Sequence, residues 1–104
     1  MAYRVIGAKT VFVSLDSLQA VKQMLEASGW EAMEVKGTGE IYPQPVPYAA
    51  FESIQVLIDL EVYVLSKGQI IVEDEEDKES WVHVVYDGKG HSTQTTTTAG
   101  KWEV

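Results

Sequence analysis

The sequence predicts an α+β fold in which one main helix, about residues 15–28, packs on a mainly antiparallel sheet of about five or six strands. Apolar residues recur at helical spacing most clearly in that one segment. Several other segments instead alternate apolar with polar residues, as half-buried strands do. The 104 residues suffice for one hydrophobic core but not for two, so residues 1–104 are expected to form a single domain.

The first third of the chain predicts a strand, a helix and a second strand. The segment from Tyr3 to Val13 is rich in β-branched residues, which favour strands. Asp16 can cap the following helix, with Ser14 as a competing cap, and Gly29 is well placed to end it in a left-handed conformation. The alternation from Trp30 to Val35 predicts a short second strand.

The segment from Lys36 to Tyr48 is predicted to be a loop. Glycines occupy its first half, and Pro43, Pro45 and Pro47 occupy every second position of its second half. This spacing excludes a helix and favours an extended polyproline conformation. The segment is therefore expected to be a surface connection or an arm that reaches a partner.

The segment from Ala49 to Leu65 supports two interpretations. Phe51, Ile54 and Leu57 would form part of a helical stripe. From Ile54 to Val64, however, all even positions are apolar and many are β-branched, which favours a long strand. The strand is the prediction adopted for residues 54–64.

The remaining segments predict an antiparallel meander. Strands are expected at Gln69–Glu73, Ser80–Tyr86 and His91–Thr98. The sequence Ser66-Lys67-Gly68 predicts a turn before the first of these strands. The sequence from Asp87 to Gly90 is a strong turn signal between the last two.

Charge and composition exclude several classes of protein. Sixteen acidic against eight basic residues give a formal net charge of −8, which argues against direct nucleic-acid binding. No cysteine is present, so disulfides and thiolate metal sites are excluded. The sequence shows neither a signal peptide nor an apolar run long enough to cross a membrane. No membrane partner and a cytoplasmic location are therefore expected.

Most of the negative charge lies in the second half of the chain. Residues 51–104 contain eleven acidic and four basic residues, a net charge of −7. Much of it belongs to the run from Glu73 to Asp77, with Glu79 just beyond. This run could recognise a basic partner surface, mimic nucleic acid, bind a divalent cation or simply solvate a hairpin loop. An EF-hand is excluded, because its invariant glycine position would hold Glu79.

Two smaller groups of residues offer alternatives. On the predicted strand 54–64, Asp59 and Glu61 would share one face and could form an acid pair for general acid–base or metal chemistry. His83 and His91 would lie on opposite faces of a hairpin that pairs Tyr86 with His91. The sequence therefore predicts no catalytic residue, no metal ligand and no cofactor.

These observations lead to a functional hypothesis of a non-enzymatic interaction protein, a small acidic adaptor or inhibitor that docks on a basic surface of a partner protein. Aromatic residues are enriched at interface hot spots, so tyrosines beside the prolines are included. The predicted partner-binding residues are Glu73, Asp74, Glu75, Glu76, Asp77, Glu79, Tyr42 and Tyr48. The alternatives are a small-molecule-binding or metal-assisted enzyme domain that uses Asp59, Glu61 and a histidine, and a homo-oligomer joined by sheet edges within His91 to Val104.

Overall fold

A computed structural model describes residues 3–47, 49, 51–76 and 79–98. Within these residues the fold is α+β, as predicted, with two antiparallel sheets and two α-helices. The elements in chain order are β1 (Tyr3–Lys9), α1 (Leu18–Ala27), β2 (Trp30–Val35), β3 (Glu40–Pro45), α2 (Ile54–Asp59), β4 (Lys67–Asp74), β5 (Ser80–Asp87) and β6 (Ser92–Thr98). Short 3-10 turns at Leu15–Ser17 and Leu60–Val62 precede α1 and follow α2, respectively.

The larger sheet has the strand order β1-β4-β5-β6, and the smaller sheet pairs β2 with β3. In the larger sheet β1 pairs with β4 in a register that places Tyr3 opposite Asp74. The N-terminal strand therefore begins beside the acidic end of β4. The structure describes no helix long and apolar enough to cross a bilayer.

The predicted main helix is confirmed, although its first turn is a 3-10 turn. The Ser14 hydroxyl, rather than the Asp16 carboxylate, accepts the capping hydrogen bond, from the Ser17 N–H at 3.2 Å. Val21 and Leu25 are the fully buried residues of α1 and lie one turn apart. Gly29, with a φ of 84°, follows the helix in the left-handed conformation that the sequence indicated.

The predicted strand at residues 54–64 is wrong. This segment forms α2 and the 3-10 turn after it, and its buried residues Val56, Leu57, Leu60 and Val64 follow helical spacing. The even position Val62 is 66% exposed, so the alternation does not correspond to a buried face. The gain from packing Leu57 and Leu60 into the core outweighs the modest preference of valine and isoleucine for strands.

The predicted loop at residues 36–48 is also partly wrong, because residues 40–45 form β3. The Ile41 N–H points away from β2 and donates to the Val11 carbonyl at 2.9 Å. Pro43 and Pro45 lie two and four positions after Ile41, so their backbone groups also point away from β2. Each proline therefore lies where the β2–β3 ladder needs no N–H, which is how a strand tolerates proline.

The core lies between the inner face of the larger sheet, the two helices and the smaller sheet. Its largest fully buried side chains are Trp30 and Tyr86. The Tyr86 hydroxyl donates a hydrogen bond to the Leu57 carbonyl, and this bond links β5 to α2. Burial, with a smaller contribution from the negative charge of Glu61, raises the pKa of Tyr86 well above its ordinary value.

We expect the protein to lose stability in alkali through Tyr86. Above pH 10.0, the ordinary tyrosine pKa, the unfolded chain releases the Tyr86 proton while the folded chain retains it. The unfolded state then binds fewer protons, so the free energy of unfolding falls as pH rises. Tyr86→Phe should make this fall shallower and should cost about 1–2 kcal/mol at neutral pH through the lost hydrogen bond. Urea unfolding across this pH range measures both effects, and identical slopes for the two proteins would contradict the assignment.

Candidate functional site: an acidic cleft

A surface cleft of about 410 Å³ lies where the beginning of β1 meets the end of β3. Its apolar wall is the segment Pro45–Val46–Pro47, and Tyr3 and Arg4 contribute from β1. Glu52 and Glu75 bring carboxylates to it from the segment before α2 and from the turn after β4. The lining residues that the structure describes are Tyr3, Arg4, Pro45, Val46, Pro47, Ala49, Glu52 and Glu75. We call this region the acidic cleft.

The core fixes the position of the cleft wall. The Val46 N–H donates to the Gly29 carbonyl at 2.9 Å, and the Ala49 N–H donates to the Val46 carbonyl at 3.1 Å. The end of α1 therefore holds the segment after β3 in place. Trp30 stacks on the Tyr3 ring with 6.4 Å between ring centroids, so a fully buried indole supports the tyrosine.

Glu52 is tied to the same structure. Its Oε2 atom accepts a hydrogen bond from the Tyr3 N–H at 2.7 Å. The next residue, Ser53, donates its N–H to the Ser28 carbonyl and accepts a hydrogen bond from the Trp30 indole N–H at 3.0 Å. These bonds hold the carboxylate of Glu52 at the cleft rather than in bulk solvent.

Several carboxylates act electrostatically on Tyr3. Burial raises the pKa of Tyr3 above its ordinary value, and the charges of Asp74, Glu52 and Glu76 raise it further. The Asp74 carboxylate also accepts the Glu76 N–H at 2.9 Å, which fixes the turn after β4. The acidic turn, residues Glu75 and Glu76 after β4, and Glu52 thus form a negative region at the cleft, and the basic lining residue Arg4 is paired with Glu73.

The described acidic residues among the predicted partner-binding residues fall into three groups. Glu75 lines the cleft, and the charges of Asp74 and Glu76 act on Tyr3 beside it. Glu73 is held within the sheet by Arg4 at 2.5 Å, and its side chain is only 12% exposed. The exposed Glu79 lies just before β5 and is not among the lining residues.

Of the two predicted tyrosines, only Tyr42 is among the described residues, and it lies away from this site. Tyr42 lies on β3 opposite Met33 and does not line the cleft, so the structure does not bring it to the acidic turn. Tyr48 and Asp77 lie outside the described residues. Among the described residues, the aromatic residue at the cleft is Tyr3, which sequence reasoning missed because it lies 71 positions from its pairing partner Asp74.

The alternative acid pair is not formed, because its predicted strand is a helical segment. Asp59 ends α2, where its carboxylate accepts a hydrogen bond from the Gln55 amide at 2.9 Å. Glu61 lies on the following 3-10 turn and accepts the Ser92 hydroxyl at 2.7 Å. Side chains two positions apart on a helical segment do not face each other. The two carboxylates therefore have separate structural partners.

The two histidines also have separate partners. Tyr86 pairs with Ser92 rather than with His91, so the predicted register of this hairpin is wrong by one residue. His83 contacts Gln69 at 2.9 Å on the neighbouring strand β4, whereas His91 precedes β6 and lies 3.3 Å from the Asp87 carboxylate. Across the described ranges, no group of three or more histidine, aspartate or glutamate side chains is arranged to hold a metal ion.

Comparison of the chain with protein-family models, curated proteins and solved structures gives no match, so a functional assignment rests on the chemistry of its own side chains.

Proposed function

We propose that the protein is a non-enzymatic interaction module, a small adaptor or inhibitor, that binds a basic segment of a partner protein in the acidic cleft. The observation that carries this proposal is the convergence of carboxylates from distant parts of the chain on one concave surface. Glu52 from the segment before α2 and Glu75 from the turn after β4 line the cleft, and the charges of Asp74 and Glu76 act on Tyr3 beside it.

The two walls of the cleft suit the two parts of a lysine or arginine side chain. Pro45, Val46 and Pro47 offer apolar contact for the aliphatic stem of such a side chain. The carboxylates of Glu52 and Glu75 can accept hydrogen bonds from its charged end. A partner segment with two or more basic residues would engage both the cleft and the neighbouring acidic turn.

The fold supports recognition without large rearrangement. Tyr3 rests on the buried Trp30, and Glu52 is held by the Tyr3 N–H, so two lining groups are positioned before a partner arrives. Preorganised groups reduce the entropy lost on binding. The net charge of −8 would also steer a basic partner toward the protein.

Charge reversal at the acidic turn tests the proposal. We expect Glu75→Lys with Glu76→Lys to weaken binding of a fluorescein-labelled peptide rich in lysine and arginine by roughly tenfold, since two favourable charge contacts become repulsive. The salt dependence of binding should also flatten. Fluorescence anisotropy at several salt concentrations measures both effects.

The matched control reverses two exposed acids outside the cleft, Asp16→Lys with Asp59→Lys. Both double variants change the formal net charge from −8 to −4, so they differ only in the place of the change. We expect the control to retain affinity within about threefold of the wild type, since distant exposed charges are screened by salt. Equal losses in the two variants would show that net charge alone attracts the peptide and would contradict a local site.

A further inference from the structure

We propose that two copies of the chain associate through β6, edge to edge and antiparallel, so that the two larger sheets form one continuous sheet. This inference is independent of the acidic cleft and rests on the exposed backbone of one strand. In the described strand order β6 ends the larger sheet, and Thr93, Gln94, Thr95 and Thr96 are all exposed.

β6 lacks the features that normally keep a sheet edge from pairing. Edge strands are commonly protected by charged side chains, prolines or bulges. The sequence of β6, Ser-Thr-Gln-Thr-Thr-Thr-Thr, contains no charge and no proline, and its pairing with β5 runs without a bulge. Threonine also favours extended backbone, so this edge is well suited to accept another strand.

The other described edges carry such protection. On β1, the opposite edge of the larger sheet, a bulge lies between Val5 and Gly7, and Arg4 and Lys9 add charge. In the smaller sheet two glutamates lie on β2, and Pro43 and Pro45 lie on β3. Of these edges β6 is therefore the one whose composition favours pairing.

The hydrogen-bond ladder shows which groups of β6 are directed outward. The Asp87 N–H donates to the His91 carbonyl at 3.1 Å, and these two residues continue the register of β5 with β6. In an antiparallel ladder, residues with backbone groups directed toward the partner strand alternate with residues directed away from it. Residues 93, 95 and 97 therefore face β5. Ser92, Gln94, Thr96 and Thr98 direct their N–H and carbonyl groups to the open edge.

One register of two β6 strands uses all of these outward groups. When the twofold axis passes between the two copies of Thr95, Gln94 of one copy pairs with Thr96 of the other, and Ser92 pairs with Thr98. Each of the four outward residues then meets an outward residue of the second copy. A twofold arrangement requires such self-complementarity, and this register provides it for a second copy of the chain.

The antiparallel arrangement also keeps the acidic turns of the two copies apart. Within one copy the acidic turn adjoins the Ser80–Thr98 end of the β5–β6 pair, and the turn with Lys89 adjoins the other end. The twofold axis places the acidic turns of the two copies at opposite ends of the paired strands, each on the side of the other copy's turn that contains Asp87 and Lys89. The uncharged β6 strands separate these ends, so no carboxylate is placed opposite another carboxylate in the new ladder.

Sedimentation velocity over a range of concentrations tests this dimer, with Thr96→Pro as the first variant. The Thr96 N–H is directed outward, so proline removes an intermolecular hydrogen bond from each copy while the bonds between β5 and β6 remain. We expect the wild type to dimerise and Thr96→Pro to weaken the dimer by roughly tenfold or more. Far-UV circular dichroism checks that the variant is folded.

Paired charges at Thr95 test the position of the axis. Thr95→Lys alone and Thr95→Glu alone each place like charges opposite each other across the axis, so each should be more monomeric than the wild type. An equimolar mixture of the two should recover the dimer. Recovery also shows that both variants are folded, since an unfolded chain would not re-form the interface.

Hydrogen exchange provides a readout that a different interface would not reproduce. Raising the protein concentration should slow exchange at the Gln94 and Thr96 amides and leave the Thr95 and Thr97 amides unchanged, because these are already bonded within the sheet. A wild-type chain that remains monomeric throughout would overturn the proposal and leave the edge to a strand of another protein. A dimer that persists equally in Thr96→Pro would also overturn it.

Discussion

Replacement of Trp30 by alanine should lower the free energy of unfolding by about 3–5 kcal/mol, the range for removing a large buried aromatic side chain. Trp30 is fully buried, stacks on Tyr3 and donates its indole N–H to the Ser53 carbonyl at 3.0 Å. The substitution would therefore leave a cavity in the core and would also remove the hydrogen-bond donor of the Ser53 carbonyl. Because a domain of this size is stabilised by only about 5–15 kcal/mol, we expect a partly unfolded population.

Urea unfolding followed by far-UV circular dichroism measures this loss without depending on tryptophan fluorescence. Trp81→Ala is the matched control, since Trp81 lies half-buried on β5 and is not part of the buried core. We expect the control to lose less than half as much stability. Equal losses at the two positions would contradict the central role assigned to Trp30.

Replacement of Gly29 by alanine should cost about 2–5 kcal/mol, from two separate causes. The φ of 84° disfavours any residue with a Cβ atom, which contributes about 1–2 kcal/mol. A Cβ atom at this position would lie only 1.8 Å from the Phe51 carbonyl oxygen, so the segment before α2 would have to move. Overpacking of this kind costs typically about 1–3 kcal/mol more.

Gly37→Ala separates the two causes. Gly37 has a φ of 82°, but a Cβ atom there would meet no heavy atom within 4 Å. We expect Gly37→Ala to show only the conformational cost, and thermal or urea unfolding of the two variants measures the difference. Similar losses in both would show that the approach of Phe51 to Gly29 contributes nothing.

Gly29→Ala should also lower the affinity of the acidic cleft for the basic peptide. The segment that would move includes Glu52, which lines the cleft, and Ser53, which accepts the Trp30 indole N–H. The Gly29 carbonyl additionally holds Val46 in the opposite wall. One substitution at the end of α1 is therefore expected to reduce both stability and peptide affinity, whereas Gly37→Ala should leave the affinity unchanged.

Local sequence patterns predicted those parts of the fold that depend on neighbouring residues. The main helix, the strands β2 and β5 and the turn from Asp87 to Gly90 follow from spacing and turn residues, and all are present. The segment at residues 54–64 was mispredicted because its apolar alternation fits a strand as well as a helix. Burial of Leu57 and Leu60 against the larger sheet decides between them, and only the folded chain supplies that information.

The alternate prolines of residues 43–47 are compatible with a strand, and the loop prediction did not consider this. Pro43 and Pro45 share one edge of β3 with Ile41, whose N–H points away from β2. Proline at every second position is compatible with a strand when all of the prolines face away from its partner. The same pattern excludes a helix, and that part of the prediction is confirmed.

The candidate site could be predicted only in part. Glu75 and Glu76 belong to the acidic run that the sequence identified, but a run of charges does not indicate which surface it adjoins. Pairing of Tyr3 with Asp74 brings the N-terminal strand to this turn, and the Tyr3 N–H then binds Glu52. Contacts over such sequence separations leave no local pattern, so Tyr3 and Glu52 were not predicted.

Chemical-shift mapping with the peptide rich in lysine and arginine tests the central claim most directly. Titration of the isotopically labelled full chain should shift the backbone amide signals of Tyr3, Val46, Glu52 and Glu75 together, with a single affinity. The signals of Asp16 and Asp59 should remain nearly unchanged. Shifts spread evenly over all acidic residues, or confined to residues outside the acidic cleft, would contradict the proposed docking site.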